Sequence, residues 1–182
     1  MYALKERIEK VLVNYLFQES DGEHKTRTPR VWLQHLPEKL WDETVDPADY
    51  PFVQLVMSGG TVNGTDAGLP EGSCDISIMV GGYDDGIEID GKVRDQQGWL
   101  IPAEIMWRII SELETGPRVG KMYDLQHPIT WELPAEQPAP LWYGLINTIW
   151  TVPVIRQEFG QDFWGQNRIL PHKGPHIEKV YT

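Results

Sequence analysis

The sequence predicts an α+β fold: a mostly antiparallel four-stranded sheet with two helices packed on one face. Three observations predict it. Two segments, residues 2–17 and 98–116, carry apolar side chains at helical spacing. Four other segments are apolar runs or alternations of strand length. Their order is helix, strand, strand, helix, strand, strand, which separates helices from hairpins instead of alternating them. A long connection joins the first helix to the first strand, and an extended tail follows the last strand. The division is one domain over residues 1–158, with an elaborated connection at 18–49, and an irregular C-terminal extension at 159–182. No internal repeat and no low-complexity segment is present in the sequence.

In the first helix Leu4, Ile8, Val11, Leu12, Tyr15 and Leu16 form one stripe, and Lys5, Glu6, Glu9 and Lys10 fill the other face. Residues 19–49 are polar and broken by Pro29, Pro37 and Pro47. The stretch "YPFVQLVMSGG" begins the sheet: Pro51 opens an extended run from Phe52 to Met57, ended by Gly59-Gly60. Thr61 to Gly72 is rich in glycine and reads as a long loop. In "CDISIMVGGYDDG", Ile76, Ile78 and Val80 point one way and Asp75, Ser77 and Met79 the other, the mark of a strand with one buried face. The second helix is "GWLIPAEIMWRIISELETG". Pro102 suits its first turn, Ile105, Met106, Ile109, Ile110 and Leu113 form its buried stripe, and Gly116-Pro117 stops it. "LQHPITWELP" is the third strand, with Ile129, Trp131 and Leu133 on one face. "PAEQPAP" is a stiff connection to the fourth strand, "LWYGLINTIWTVPVI". There Trp142, Ile146, Trp150 and Val152 share one face and Tyr143, Leu145 and Ile149 the other, so this strand is buried on both sides or offers one face to a partner. Trp131, Trp142 and Trp150 are read as core in preference to interface.

The bulk numbers exclude some functions. At 182 residues the chain can bury a substantial core. A net charge of −11 argues against a reader of duplex DNA, which needs a basic face, and against adhesion to anionic membrane. It is compatible with lining a passage through which nucleic acid slides. One cysteine, Cys74, excludes an intramolecular disulfide framework. The N-terminus has no apolar signal core, and no apolar run approaches the roughly 20 residues of a membrane span. A soluble protein assembled in the cytoplasm is expected.

The stretch "GIEIDGKV", Gly86 to Val93, nearly spells a phosphate-binding loop, but the final hydroxyl residue is Val93. Glu88 and Asp90 inside it would repel a triphosphate. Ile87-Glu88-Ile89 alternates like a strand, and Asp85-Gly86 and Asp90-Gly91 are hairpin turn signals. An acidic hairpin over 84–95 is therefore expected in place of a nucleotide site. Its carboxylates, with Asp84, Asp85, Glu88, Asp90 and Asp95, suit a hard cation by type but not by spacing. His172 and His176 lie four apart between prolines and glycines, which disfavours the helix a shared metal would need. Cys74 opens an apolar strand and reads as a structural thiol. The acidic pair Glu132 and Glu136 has only its residue type in favour of acid–base work. No catalytic residue, metal ligand or cofactor site is assigned, and the chain is not read as an enzyme. The aromatic-rich sheet, polar loops and apolar irregular tail mark a protein that contacts other proteins.

One long segment carries a resemblance. It comprises Trp131-Glu132-Leu133-Pro134, Glu136-Gln137-Pro138, Trp142-Tyr143-Gly144, and Trp150 to Pro153 followed by Arg156 and Glu158. It is similar to a segment of phage tail-terminator proteins and related phage neck proteins of Gram-positive hosts. Upstream, "YPFVQLVMSGG", "CDISIMVGGYDD" and "GWLIPAEIMWRIISEL" follow that family's order, so the likeness spans roughly residues 1–17 and 50–158. Residues 18–49 and those after Glu158 have no counterpart. The resemblance implies an α+β subunit of a six-fold ring that caps the tail tube, stops its polymerisation and presents a surface to the head-side connector. It implies loops facing the tube, sheet edges pairing around the ring, and a lumen that passes DNA without reading it. The expected partners are further copies of the chain, the tube protein and the head-completion or connector protein, with no membrane. The expected location is the tail–neck junction of a virion. Candidate ring or tube contacts are the loop Gly59 to Gly72, with Asn63 and Asp66, and the acidic hairpin, with Asp84, Asp85, Glu88, Asp90 and Lys92. The candidate neighbour-contacting tail carries Phe159, Phe163, Trp164, Ile169 and Leu170. The alternatives are a head–tail connector or other neck adaptor and, from another class, a small cation-dependent enzyme or binding module using residues 84–95.

Overall fold

The computed structural model describes residues 1–18, 24–37, 40, 46–62, 71–89, 92–95, 97–120, 123–137 and 140–153. The chain begins with α1 (Tyr2–Val11), whose Leu4 and Ile8 are buried. This helix is shorter than the apolar spacing predicts. Leu12 and Tyr15 are buried as the stripe requires, but after the helix has ended. Asn14 takes a left-handed conformation, φ 54°, which asparagine tolerates better than most residues. The chain turns there and leaves as β1 (Tyr15–Gln18), paired antiparallel with β2 (His24–Arg27).

The connection predicted at 18–49 contains more order than its composition suggests. β3 (Arg30–Leu33) pairs parallel with β4 (Phe52–Val62). Between them lies a 3-10 turn, Pro47–Asp49, where the Asp46 side chain accepts a hydrogen bond from the Ala48 amide. Buried Asp49 is ion-paired to Arg30. The remaining elements are β5 (Glu71–Tyr83), β6 (Ile87–Ile89), β7 (Lys92–Asp95), α2 (Leu100–Thr115), β8 (Arg118–Val119), β9 (Tyr123–Glu132) and β10 (Leu141–Pro153).

The main sheet is thus six-stranded and mixed, in the order β3-β4-β5-β10-β9-β8, and corrects the expected four antiparallel strands. The four predicted strands are present as β4, β5, β9 and β10. The two additions sit at the edges. β3 is the parallel exception, reached by a crossover that local patterning does not reveal, and β8 is two residues long. The centre is a ladder in which β5 and β10 pair from Leu141↔Tyr83 to Pro153↔Glu71.

Both helices cover one face. Ile8 and Leu12 meet Ile105, Ile109 and Leu113 of α2 over Val53, Leu55, Ile78, Val80 and Ile146. The alternation read in β5 and the stripe read in α2 supply this core, save that Ile110 is half-buried. Arg7 ties the helices together: it donates to the Glu112 carboxylate at 2.8 Å and to the Glu112 and Gly116 carbonyls at the end of α2. A cation there suits the negative pole of the helix. On the opposite face a second cluster, Leu36, Leu40, Tyr50 and Phe52 with Trp32 and Tyr143 against it, covers one end of the sheet. Phe52 lies across from Gly81, where an added Cβ would come within 2.3 Å of the ring, so that position takes glycine.

Candidate functional site

The acidic stretch forms the expected ribbon. β6 and β7 pair antiparallel, with Ile89 opposite Lys92. Lys92 opens a strand, whereas a phosphate loop needs a helix at that point, and α2 does not begin until Leu100. Asp84 is buried and its Oδ1 accepts from the Gly86 amide at 3.0 Å. Asp85 is exposed and accepts from the Tyr83 hydroxyl at 2.6 Å; that bond, then partial burial, pushes the phenol up to about 12. Asp90 lies outside the described residues, as do the side chains of Glu88 and Lys92. Among the described residues, no three His, Cys, Asp or Glu converge where a metal ion would be held.

Cys74 is buried on the helix side of β5, and burial raises its thiol pKa, which disfavours the thiolate a nucleophile requires. Glu132 and Glu136 are exposed. His172 and His176 lie outside the described residues.

The predicted loop from Gly59 to Gly72 is shorter at both ends. Gly59 to Val62 continue β4, and Glu71-Gly72 already belong to β5. The two glycines read as a strand end are instead strand features. The ladder shifts register between Met57 and Gly59, a bulge, and a Cβ on Gly60 would lie 2.4 Å from the Ser73 carbonyl oxygen. Asn63 and Asp66 lie outside the described residues. Because β3 pairs only with residues 52–55, the rest of β4 offers one edge with no strand beside it among the described residues. The other side of the sheet is similar: β8 pairs only with Tyr123 and Asp124, so residues 126–132 of β9 also face outward. Each edge carries backbone donors and acceptors that can extend the sheet.

Two surfaces were not legible in the sequence. Trp131, assigned above to the core, is 48% exposed. It sits on the open stretch of β9 and packs at a tilt, with the ring planes 59° apart, against Trp107 of α2, itself 53% exposed, with ring centroids 5.4 Å apart. Trp142 and Trp150 are core, as read. The second surface is an apolar groove of about 360 Å³ at the far end of the long strands, lined by Leu4, Val62, Cys74, Ile76, Trp150 and Val152 among others. The outward face of β10 is half-covered near Tyr143 and open at Asn147 and Ile149, so its apolar residues are not all buried. Phe159, Phe163, Trp164, Ile169 and Leu170 lie outside the described residues.

Compared with known proteins, the chain matches no protein-family profile and no curated sequence. Among the described residues, no helix is long and apolar enough to cross a membrane.

Proposed function

We propose that this chain is a structural protein of a phage or phage-like tail, a terminator subunit that joins copies of itself into a ring, six by resemblance. The ring caps the tail tube, stops its growth and offers a surface to the head-side connector. One observation carries the reading furthest: among the described residues, the sheet has an open edge on each side, at β4 beyond Leu55 and at β9 beyond Leu125. A ring subunit needs two different joining surfaces, one for each neighbour, and such head-to-tail contacts close into a ring when the rotation allows. The sequence segment Trp131 to Glu158 supports the same reading, since it spans the end of β9 and all of β10.

In this reading the protein is not an enzyme. The projecting β4–β5 ribbon and the β6–β7 ribbon touch the tube or neighbouring subunits. DNA passes the lumen unread, consistent with a net charge of −11. The location proposed is the tail–neck junction of a virion assembled in the host cytoplasm. The test is electron microscopy of particles carrying a gold-labelled copy of this chain. Label at the head-proximal end of the tail is expected, whereas label at the baseplate or over the capsid shell overturns the assignment.

A further inference from the structure

We propose that the apolar groove at the far end of the sheet is the seat of this chain's own C-terminal segment, with two of the rings of Phe159, Phe163 and Trp164 filling it. Three observations converge. The first is the groove's size and chemistry. It measures about 360 Å³ and is walled by Leu4, Val62, Ile76, Val119, Trp150 and Val152. An apolar cavity of about 150 Å³ accepts a benzene ring, so this groove accommodates two.

The second is where the chain leaves the sheet. Val152 is itself part of the wall, and Pro153 is the last residue of β10. Residues 154–182 therefore start at the rim. Phe159 is within roughly 20 Å of it even with the intervening chain fully extended. A short tether presents a segment at an effective concentration on the order of millimolar, so modest intrinsic affinity suffices for docking within one chain.

The third is composition. Phe159, Phe163, Trp164, Ile169 and Leu170 fall within a short span that is otherwise polar. Such spacing presents separate apolar anchors. The other stretch that starts at the rim, residues 63–70, offers only Ala67, Leu69 and Pro70 and no aromatic ring. The tail is therefore the better match in volume and chemistry. The inference is independent of ring formation and is tested without it.

The test uses the full chain with the photo-reactive residue p-benzoylphenylalanine in place of Val62, which lines the groove and is 70% exposed. A second chain carries it in place of Ile149 on the opposite face of β10. After irradiation of a mixture of isotopically light and heavy chains, peptides joined to position 62 are identified by mass. The expected result is linkage from 62 to residues 159–164 within one isotopic species, and no such linkage from 149. Phe163→Asp together with Trp164→Asp should cut the yield about ten-fold or more, since each ring is worth at least a decade in the docking equilibrium. Circular dichroism checks that the variant keeps its fold. The proposal is overturned by linkage to residues 63–70 alone, by mixed-isotope products, by equal yield from 149, or by a yield indifferent to the double substitution.

Discussion

The two halves of β4 live in different environments although one ladder runs through both. Phe52 to Leu55 are buried and Met57 to Val62 are exposed, while β5 pairs with the whole length. Hydrogen bonding therefore does not distinguish the halves; what lies above and below does. The near half has the helix-side core beneath it and Tyr50, Leu36 and Leu40 above it, with β3 at its side. Among the described residues, the far half has the β5 ladder and the rim of the groove. Stability is concentrated where the strand is covered, and open surface is left where it is not.

Three measurements test that contrast. The largest effect belongs to the near half. Phe52→Ala removes a ring packed on Gly81 and beside Tyr50. It should cost about 3–5 kcal/mol, as deletion of buried aromatics does, read from denaturant unfolding. A loss below 1 kcal/mol, by order of magnitude, would mean that the second cluster is not core.

The next effect is alkaline. Burial, then contact with Tyr143, raises the Tyr50 pKa above its ordinary 10.0, and Asp85 raises that of Tyr83 to about 12. Both groups hold their protons more tightly when folded. Their contribution is complete below about pH 10 and is lost as pH rises through the folded values, because the unfolded chain releases protons first. Melting temperature should fall between roughly pH 10 and pH 12, and Tyr50→Phe should flatten the fall. An unchanged slope would remove Tyr50 from the account.

The smallest effect belongs to the far half. Ser58→Ala, on the far half but outside the groove, should change stability by no more than about 0.5 kcal/mol, the range of ordinary surface substitutions. A cost several times larger would show that Ser58 is covered in solution.

The legible parts of the fold were those set by local periodicity. Ile76, Ile78 and Val80 alternate and are all buried; Ile105, Met106, Ile109 and Leu113 recur at helical spacing and line the core. What could not be read depends on neighbours distant in the chain. The parallel pairing of β3 with β4 spans a crossover, and β3 has too few residues to show a pattern. The apolar stripe of α1 runs past Val11 because Leu12 and Tyr15 are buried by other means. Trp131 has the alternation of a core residue, but whether a strand is an edge is decided by how far its neighbour reaches, and β8 stops at Val119. The acidic ribbon was legible because Asp-Gly pairs act locally. The groove was not, because its walls come from α1, β4, β5, β8, β9 and β10 together.

The ladder between β5 and β10 has a mechanical consequence. It runs unbroken from Glu71 to Tyr83 against Pro153 to Leu141, with antiparallel rungs perpendicular to the strands. A force that draws the two strands past each other loads every rung at once, whereas a force that peels one end opens them in turn. The domain is therefore expected to be strongest against tension directed along these strands and weakest where a pull lifts an edge. Under the proposed function, a ring of such domains would carry load best with its long strands aligned to the pull.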